Sequence, residues 1–584
     1  MKKYLLVLVG LCCVLSYALA ERPDYPELKK SDANIIGHVL DKKTKEHLPY
    51  ITIALKGTTI GTVTDATGHY FLKNLPEGNF ILEVSSVGYK TVTRNVTLKK
   101  GKTLEEDFEI EEDAIALDGV VVSANRSETT RRMAPTLVNV VDLKLFETTN
   151  SSTLSQGLNF QPGVRVETNC QNCGFQQVRI NGLDGPYTQI LIDSRPVFSA
   201  LSGVYGLEQI PASMIERVEV MRGGGSALFG SSAIAGTINI ITKEPLRNSG
   251  QLSHTITSLG GSSSFDNNTS LNASLVTDDH RAGLYIFGQN RYRSGYDYDG
   301  DGFTELPKLK NQTVGFRSYL KTSTYSKLTF EYHHMQEFRR GGDMLNRPPH
   351  EAHIAEQLQH SIDGGSLKFD YFSPDEKNRL SVFASAANTD RDSYYGPGND
   401  PLKAYGKTTD LTAMGGAQYV HTFDKCFFMP SDLTAGLEYN RDRLKDNMWG
   451  YNRHTDQTVN IYSAFLQNEW KNDRWGILIG GRLDKHNMVD NVIFSPRANL
   501  RFNPTQNINL RLSYSSGFRA PQAFDEDMHI ENVGGTVAMI ERAKDLKEEK
   551  SQSFSVSADM YHRFGAFQTN LLIEGFYTRL TDVF

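Results

Sequence analysis

Two cysteines, Cys170 and Cys173, stand three positions apart in the tetrapeptide CQNC. Such a pair can work as a redox dithiol, supply half of a zinc site or close a small disulfide. A redox dithiol is expected to open a helix after a strand, and a zinc ion needs about four ligands, of which the pair gives two. In an oxidising compartment the spacing favours a disulfide between Cys170 and Cys173 that braces a loop.

An acidic loop offers oxygen ligands instead of sulfur. The hexapeptide DYDGDG begins at Asp297 and places carboxylates at positions 1, 3 and 5 and glycine at position 6, which is the spacing of an EF-hand calcium loop. Position 12 is Lys308 instead of glutamate, so the EF-hand is incomplete. The alternatives are a solvated acidic loop and a calcium site, and the sequence requires no other cofactor. The calcium ligands would be Asp297, Asp299, Asp301 and Glu305.

Two further patterns suggest phosphate binding and zinc-peptidase chemistry, but the residues around them do not support either. Gly225 and Gly230 have the separation of a Walker phosphate loop, but Ser231 stands where the lysine must be. The tetrapeptides HMQE, from His334, and HIAE, from His353, share the HxxE pattern of zinc peptidases. Fifteen histidines produce such pairs by chance, and the first pair lies on an alternating strand. We therefore predict that the protein is not an enzyme.

The composition indicates which elements position these residues. The 584 residues include 49 glycines, 26 tyrosines and 30 phenylalanines, which favours β structure, and a formal net charge of −6 argues against a nucleic-acid partner. Lys2 and Lys3 precede an apolar run that ends in small residues, so residues 1–20 are expected to be a signal peptide. No later stretch approaches the about 20 apolar residues of a spanning helix, so a mature chain in a membrane has to be a barrel.

Residues 33–112 contain short β-prone segments separated by Gly, Pro, Asn and Asp, which predict a small β-sandwich. The motif TTIGTVTDATG, followed by LPEG and SVGY, resembles the carboxypeptidase regulatory-like domain. The positions that carry this resemblance are Thr58, Gly61, Thr62, Thr64, Asp65, Gly68, Leu75, Pro76, Gly78, Val87, Gly88 and Tyr89.

Four later segments resemble the plug domain of TonB-dependent outer-membrane receptors and occur in that family's order. They are LNFQPGVRVE, VRINGL, QILIDSRPV and LEQIPASMIERVEVMRGGGSALFGSSAIAGTINIITK. One departure is Ser194, where the family usually has glycine. The resemblance implies that residues 125–245 form an α/β plug whose small residues pack closely in a confined space, and that residues 114–124 contain the TonB box. The TonB-interacting residues are then Asp118, Gly119, Val120, Val121, Val122 and Ser123.

Residues 246–584 contain about fifteen strand-like segments in which apolar and polar residues alternate. This alternation is typical of a transmembrane antiparallel β-barrel, although a soluble sandwich also alternates. Short turns alternate with long loops, as in outer-membrane barrels, so the short turns are expected to be periplasmic and the long loops to face outward. The short ones are TDDHRAG, TSTYSK, SPDEKN, KNDR and NPTQN. Plugged transporters have about 22 strands, so we expect a mainly β fold whose barrel has about 15 of about 22 strands and is truncated at its C-terminus.

The tetrapeptide FRAP, which contains Arg519, resembles a box of haem and other iron-complex receptors, and His529 follows it where haem receptors place a ligand. Alternatively, His529 is an ordinary loop histidine. The family resemblance implies an outer-membrane receptor that binds a scarce iron complex, a siderophore or haem. It imports this ligand with proton-motive force that TonB and its inner-membrane energising complex relay. Outer-membrane lipid and a surface lipoprotein are the further expected partners.

Two alternative functions stay open. Within transport, the ligand is cobalamin or another large nutrient. In a different class, the protein is an adhesin or a passive pore, and then attachment or flux does not depend on residues 118–123.

Overall fold

The structure is a computed structural model that describes residues 31–584, except for residues 66, 87–88, 112–119, 171, 197–207, 209, 232, 278–279, 398–403, 534–535, 544 and 565–566. The predicted signal peptide and two predicted TonB-interacting residues, Asp118 and Gly119, lie outside the described residues. Three units follow one another along the chain, and strands dominate all of them. Within the described ranges, no helix is both long and apolar enough to cross a membrane.

The first unit is the predicted β-sandwich. Its strands are β1 (Ala33–Asp41), β2 (Thr52–Leu55), β3 (Gly61–Val63), β4 (His69–Leu75), β5 (Gly78–Ser86), β6 (Tyr89–Leu98), β7 (Thr103–Glu105) and β8 (Phe108–Ile110). Strand β1 pairs with β4, β7 and β8, while the second sheet has the order β3-β2-β5-β6. Alternate residues of both sheets point inward, and Ile35, Ile53, Leu82 and Phe108 are among those that form the core.

The second unit is the predicted α/β plug. It contains β9 (Val120–Val121), β10 (Thr129–Thr130), β11 (Val138–Asp142), α1 (Leu143–Thr148), α2 (Leu154–Leu158), β12 (Val164–Cys170), β13 (Phe175–Ile180), β14 (Thr188–Ile192), β15 (Ile215–Arg222), α3 (Ser226–Phe229) and β16 (Gly236–Thr242), with 3-10 turns at Gly185–Tyr187 and Ala212–Met214. Its central sheet has the order β11-β15-β16-β14, in which β14 and β16 are parallel. Strands β12 and β13 form a separate hairpin.

The third unit is the predicted barrel sheet. It contains β17 (Ser249–Ser258), β18 (Phe265–Val276), β19 (Ala282–Arg293), β20 (Lys308–Ser323), β21 (Ser326–Gly342), β22 (Ile354–Phe372), β23 (Asn378–Pro397), β24 (Tyr405–Cys426), β25 (Met429–Met448), β26 (Arg453–Lys471), β27 (Trp475–His486), β28 (Ile493–Thr505), β29 (Ile508–Arg519), α4 (Asp525–Met528), β30 (Glu531–Val533), β31 (Thr536–Ala538), β32 (Glu549–Phe564) and β33 (Phe567–Thr581), with 3-10 turns at Pro349–Glu351 and Trp449–Tyr451. All strands of this unit except β30 and β31 form one antiparallel sheet of fifteen strands, which follow one another in sequence order. In the described part of the chain β17 and β33 are its two edges, so the sheet does not close, as predicted.

The two faces of this sheet differ in polarity. On β29, Leu510 and Leu512 are 38% and 53% exposed, whereas Asn509 and Arg511 are 0% and 3% exposed. The apolar side chains therefore point outward and the polar ones point toward the plug, which confirms the predicted alternation.

The two rims of the sheet differ in the length of their connections. All five predicted short turns join an even-numbered strand to the next odd-numbered one, so they lie on one rim, here called the turn side; the opposite rim is the loop side. The sandwich contacts the turn side, since Thr59 N–H donates to the carbonyl of Thr324 at 2.9 Å and the Thr62 hydroxyl lies 3.2 Å from His280 Nε2. The sandwich thus lies where the predicted periplasmic turns are.

Candidate functional site

The predicted TonB-interacting residues continue into the plug as an ordered segment, residues 120–123, here called the coupling segment. Its strand β9 pairs with β10, and Val121 and Ser123 are fully buried. The backbone N–H groups of Val122 and Ser123 each donate to the Glu219 Oε2 atom at 2.9 Å, and the Ser123 hydroxyl donates to the same oxygen at 2.8 Å. One carboxylate oxygen of the plug therefore binds the coupling segment through three hydrogen bonds.

Hydrogen-bond donors surround the Glu219 carboxylate. Its side chain is fully buried on β15, the second strand of the central plug sheet, and its other oxygen accepts from Arg217 Nε at 3.0 Å. The Asn239 amide donates to the Ser123 hydroxyl at 3.0 Å. Every partner of the carboxylate is thus a donor, which a buried charge requires.

Ser194 occupies a tight turn that normally needs glycine. Asp193 and Ser194 have φ values of 48° and 65°, and Ile192 pairs with Arg195 across them. Non-glycine residues rarely adopt this left-handed backbone, which mirror-image hairpin turns need. The Asn239 amide donates to the Ser194 hydroxyl at 3.0 Å and its carbonyl accepts from Ser194 N–H at 2.8 Å. These two hydrogen bonds stabilise serine at the position where the sequence departs from the family.

Several ion pairs join the plug to the sheet around it, and three of them are called the wall ion pairs here. The others join Glu208 to Arg291, Arg293 and Arg339, Arg131 to Asp559, and Glu244 to Lys327. Asp193 Oδ2 lies 2.5 Å from the Arg317 guanidinium on β20. Burial raises the pKa of Asp193, but the charge of Arg317 and the hydrogen bonds from Thr242 outweigh it and lower the pKa to about 2. The other two wall ion pairs are Arg126 with Glu438 on β25 and Arg222 with Glu574 on β33.

The glycine-rich loop between β15 and α3 packs against the barrel sheet. A Cβ atom at Gly224 would lie 1.9 Å from Ser515 Oγ on β29. Conversely, a Cβ atom at Gly517 would lie 2.3 Å from Ser226 Oγ in the plug. Both separations are far inside van der Waals contact, so neither position has room for a side chain. The small residues therefore permit close packing of plug and wall.

The CQNC motif lies at the tip of the β12–β13 hairpin, where it meets two distant residues. Cys170 Sγ donates to Glu356 Oε2 at 3.1 Å, and Cys173 Sγ lies 3.4 Å from His529 Nε2. His529 Nε2 and Glu356 Oε2 are 3.5 Å apart. These four residues are called the thiol cluster below. Cys170 and Cys173 form no disulfide in the structure, contrary to the prediction, because each thiol faces a side chain from outside the plug.

The electrostatics of the thiol cluster favour charge separation. A hydrogen bond with Cys173 lowers the pKa of the Cys170 thiol to about 7, with a further contribution from His529, while burial opposes this shift. Burial lowers the pKa of His529, but hydrogen bonds with Cys170 and Glu356 outweigh it and raise the pKa to about 10. The cluster therefore stabilises a thiolate beside an imidazolium.

Three elements on the loop side supply the thiol cluster. Glu356 is the third residue of β22, which begins on that side, and His529 immediately follows α4 in the long connection after β29. An apolar group surrounds the buried Cys173, and it consists of Leu358, Tyr395, Met448 and Ile530. The cluster thus joins the plug tip, the wall and a loop at the predicted extracellular end.

Arg519, the other predicted ligand-binding residue, has different neighbours from those of His529. It is buried at the end of β29, 3.6 Å from the Glu549 carboxylate, and its guanidinium lies over the rings of Phe524 and Phe584. Arg519 therefore packs against Glu549 and two aromatic rings, whereas His529 belongs to the thiol cluster, and ligand binding by Arg519 stays a prediction.

The structure brings together the four predicted calcium ligands. Their oxygens lie within 4.8 Å of one another in the exposed connection between β19 and β20. The carboxylate of Asp297 accepts from Gly300 N–H at 2.7 Å and from Gly302 N–H at 2.9 Å. Both glycines have positive φ, which the tight turn of the loop needs. Calcium binding stays a prediction.

The two HxxE pairs do not form peptidase sites. His334 lies on β21, where residues three positions apart point to opposite faces, and its Nδ1 atom is 2.9 Å from Asp363. His353 Nδ1 is 2.6 Å from Asp343. Of the residues in these pairs, Glu356 joins the thiol cluster instead.

Sequence reasoning noted the two key carboxylates without finding their roles. Glu219 is one of four charged residues on β15, and Glu356 is the last residue of an HxxE pair. The sequence of β15 therefore does not distinguish Glu219 from the other three charged residues of the strand. No local signal indicates Glu356.

Together, a many-stranded antiparallel sheet with an apolar outer face, a plug packed against its polar face and a coupling segment on the plug define a plugged outer-membrane receptor. Comparison with known protein families leads to the same class of protein. Residues 236–584 match the family described as TonB dependent receptor-like, beta-barrel, residues 130–237 match the TonB-dependent Receptor Plug Domain, and residues 35–122 match the CarboxypepD_reg-like domain. The chain belongs to the TonB-dependent receptor family of the outer membrane, and its family and fold are those of receptors and transporters, not enzymes.

Two curated relatives are vitamin B12 transporters, both called BtuB, from Vibrio vulnificus. The one from strain CMCP6 is 24% identical over 425 residues, which cover 70% of this chain and 64% of the relative. The one from strain YJ016 is 33% identical over 174 residues, which cover 29% of this chain and 28% of the relative. The chain therefore spans less than two thirds of the length of these relatives.

Solved structures with a similar fold include siderophore receptors. The siderophore receptor PirA from Acinetobacter baumannii has a TM-score of 0.63 at 18% identity, covering 77% of this chain and 78% of that protein. The ferric enterobactin receptor PfeA from Pseudomonas aeruginosa has a TM-score of 0.61 at 18% identity, and the match covers 77% of this chain and 71% of that protein. At these identities the similarity establishes the fold.

Proposed function

We propose that the protein imports a scarce iron complex, a siderophore or haem, across the outer membrane when periplasmic TonB pulls on residues 118–123. The observation that carries this proposal is the coupling segment, which is bound to the plug by hydrogen bonds to a single buried carboxylate. Such hydrogen bonds hold the segment at rest, yet a pulling partner strand can replace them because they involve backbone N–H groups. An adhesin or a passive pore needs no such segment.

The ligand class is proposed from the relatives. Siderophore receptors share the fold, which supports an iron complex, and two vitamin B12 transporters are similar in sequence, which supports cobalamin as the alternative. Both are large metal chelates. The loop-side connections provide the surface for their capture.

A proline in the coupling segment tests the proposal. Val121→Pro removes a backbone donor and the extended geometry that strand pairing needs. Cells that carry it are expected to bind labelled ferric siderophore, haemin or cobalamin at the surface but to lose energised uptake, whereas Val121→Ala, which keeps the backbone donor, retains uptake. Wild-type uptake by the proline variant would refute energy coupling through this segment. Uptake that survives collapse of the proton-motive force would indicate a passive pore.

A further inference from the structure

The thiol cluster has the ligand number and spacing of a tetrahedral metal site. A tetrahedral ion with bonds of about 2.0–2.3 Å separates its ligand atoms by about 3.3–3.8 Å. In the cluster, Cys170 Sγ and Glu356 Oε2 are 3.1 Å apart, Cys173 Sγ and His529 Nε2 are 3.4 Å apart, and His529 Nε2 and Glu356 Oε2 are 3.5 Å apart. All four ligand atoms lie within 4.8 Å of one another, so a small contraction of the longer separations surrounds an ion.

The donor set selects a class of metal. Two sulfurs, one imidazole nitrogen and one carboxylate oxygen suit Zn²⁺ or Cu⁺, whereas Ca²⁺ and Mg²⁺ prefer oxygen ligands alone. Haem iron leaves only its axial positions to protein side chains, so four donors that converge on one point fit a single ion and not a macrocycle.

The burial of the cluster also suits metal binding. Cys173 is 0% exposed, Glu356 2% and His529 9%. The apolar residues Leu358, Tyr395, Met448 and Ile530 pack beside them and exclude water from the thiols. A surface pair of cysteines would lack this second layer.

We propose that Cys170, Cys173, Glu356 and His529 bind one thiophilic transition-metal ion, Zn²⁺ or Cu⁺, and that this ion is cargo of the receptor. Each thiol and the His529 imidazolium lose a proton to solvent as their bonds to the metal form, and neither the metal nor the sulfur changes oxidation state. The second half of the proposal rests on the proposed TonB-dependent import.

The origin of the ligands explains why the ion would be cargo and not a permanent structural part. Both sulfurs belong to the plug, whereas Glu356 and His529 belong to the wall and to a loop. Any displacement of the plug separates the sulfurs from the other two ligands. Each half then has two ligands where Zn²⁺ needs about four, so Zn²⁺ is bound more weakly when the plug moves.

Metal binding is tested on the purified full chain in detergent, with thiols kept reduced. Titration with Zn²⁺, and with Cu⁺ under anaerobic conditions, is expected to give one ion per chain, and Co²⁺ is expected to produce thiolate charge-transfer absorption. The variant with both Cys170→Ser and Cys173→Ser should bind at least about 100-fold more weakly, because loss of direct ligands exceeds the effect of lost outer partners. His529→Gln should also weaken binding. Cys426→Ser, which changes a free cysteine outside the cluster, should not.

Two results would overturn the metal site. One is metal binding by the wild-type chain that does not exceed binding by the double serine variant. The other is a Cys170–Cys173 disulfide in protein alkylated directly in cells and analysed by mass spectrometry. Normal thermal unfolding of the serine variant shows that it is folded, so that a loss of binding reports ligation.

Cellular uptake tests the cargo role separately. Labelled Zn²⁺ or Cu⁺ is expected to accumulate in energised wild-type cells and not in cells with the double serine variant. Val121→Pro should abolish accumulation while the purified variant still binds metal. If wild-type cells import ferric siderophore but no Zn²⁺ or Cu⁺, the cargo role fails and the proposed import function stands. If uptake is insensitive to Val121→Pro, the import function fails while metal binding stands.

Discussion

Replacing Glu219 by glutamine should release the coupling segment from the plug. All neighbours of this carboxylate are donors: Val122 N–H, the N–H and hydroxyl of Ser123, and Arg217. An amide has one acceptor atom and one donor group, so in either orientation its NH₂ group faces a donor. The side chain keeps its size, and the perturbation is therefore electrostatic.

The size of the effect follows from the three hydrogen bonds to the segment. Hydrogen bonds to a charged group contribute about 1.5–3 kcal/mol each and neutral ones about 0.5–1.5 kcal/mol, so neutralising the acceptor weakens each bond by about 1 kcal/mol. Three bonds to Glu219 Oε2 give about 3 kcal/mol. Because 1.4 kcal/mol corresponds to a factor of ten, local opening should become about 100-fold more frequent.

Hydrogen–deuterium exchange of the purified receptor measures this opening directly. In Glu219→Gln the amides of Val122 and Ser123 should exchange about 100-fold faster, whereas amides of the barrel sheet should not change. Glu216→Gln is the matched control, since Glu216 lies on the same strand, is 44% exposed and contacts Arg217 but not the segment. Exchange at the two amides within threefold of wild type would refute the assigned role of Glu219.

Three further predictions concern the plug and the acidic loop. Gly224→Ala should lower the free energy of unfolding by about 1–3 kcal/mol, because its methyl group collides with Ser515; Gly250→Ala, where a Cβ meets nothing within 4 Å, is the control in thermal unfolding. Calcium should protect the acidic loop from proteolysis, and Asp299→Asn should reduce this protection; protection indifferent to chelator would contradict a calcium site. Because the pKa of Asp193 is lowered to about 2, its contribution to plug docking should be present above about pH 4 and lost between about pH 4 and pH 2, as limited proteolysis of the plug would show.

The sequence predicts the barrel sheet well because its signal is local. Alternation along a strand depends on neighbouring residues only, and Leu510, Arg511 and Leu512 lie on the faces that the pattern predicts. The short turns are also predicted from local sequence, and all five lie on the turn side of the sheet. The role of small residues at Gly224 follows from a family pattern and is also confirmed by the contact with Ser515.

The thiol cluster could not be predicted in this way, because its ligands are distant in sequence. Glu356 is 186 positions from Cys170, and His529 is 356 positions from Cys173. Their meeting depends on the register of the barrel sheet and on the path of a long connection, and no periodicity encodes either. From sequence alone the cysteines therefore had only each other as partners, which led to the predicted disulfide.

The wall ion pairs have a mechanical consequence. They attach the plug to β20, β25 and β33, three strands that are well separated in the sheet. Arg126 follows the coupling segment by only three positions, so tension on that segment loads the β25 attachment first. Once that ion pair breaks, Arg131, Glu208 and Glu244 still join the plug to the sheet, so the plug is released in steps that start at the coupling segment.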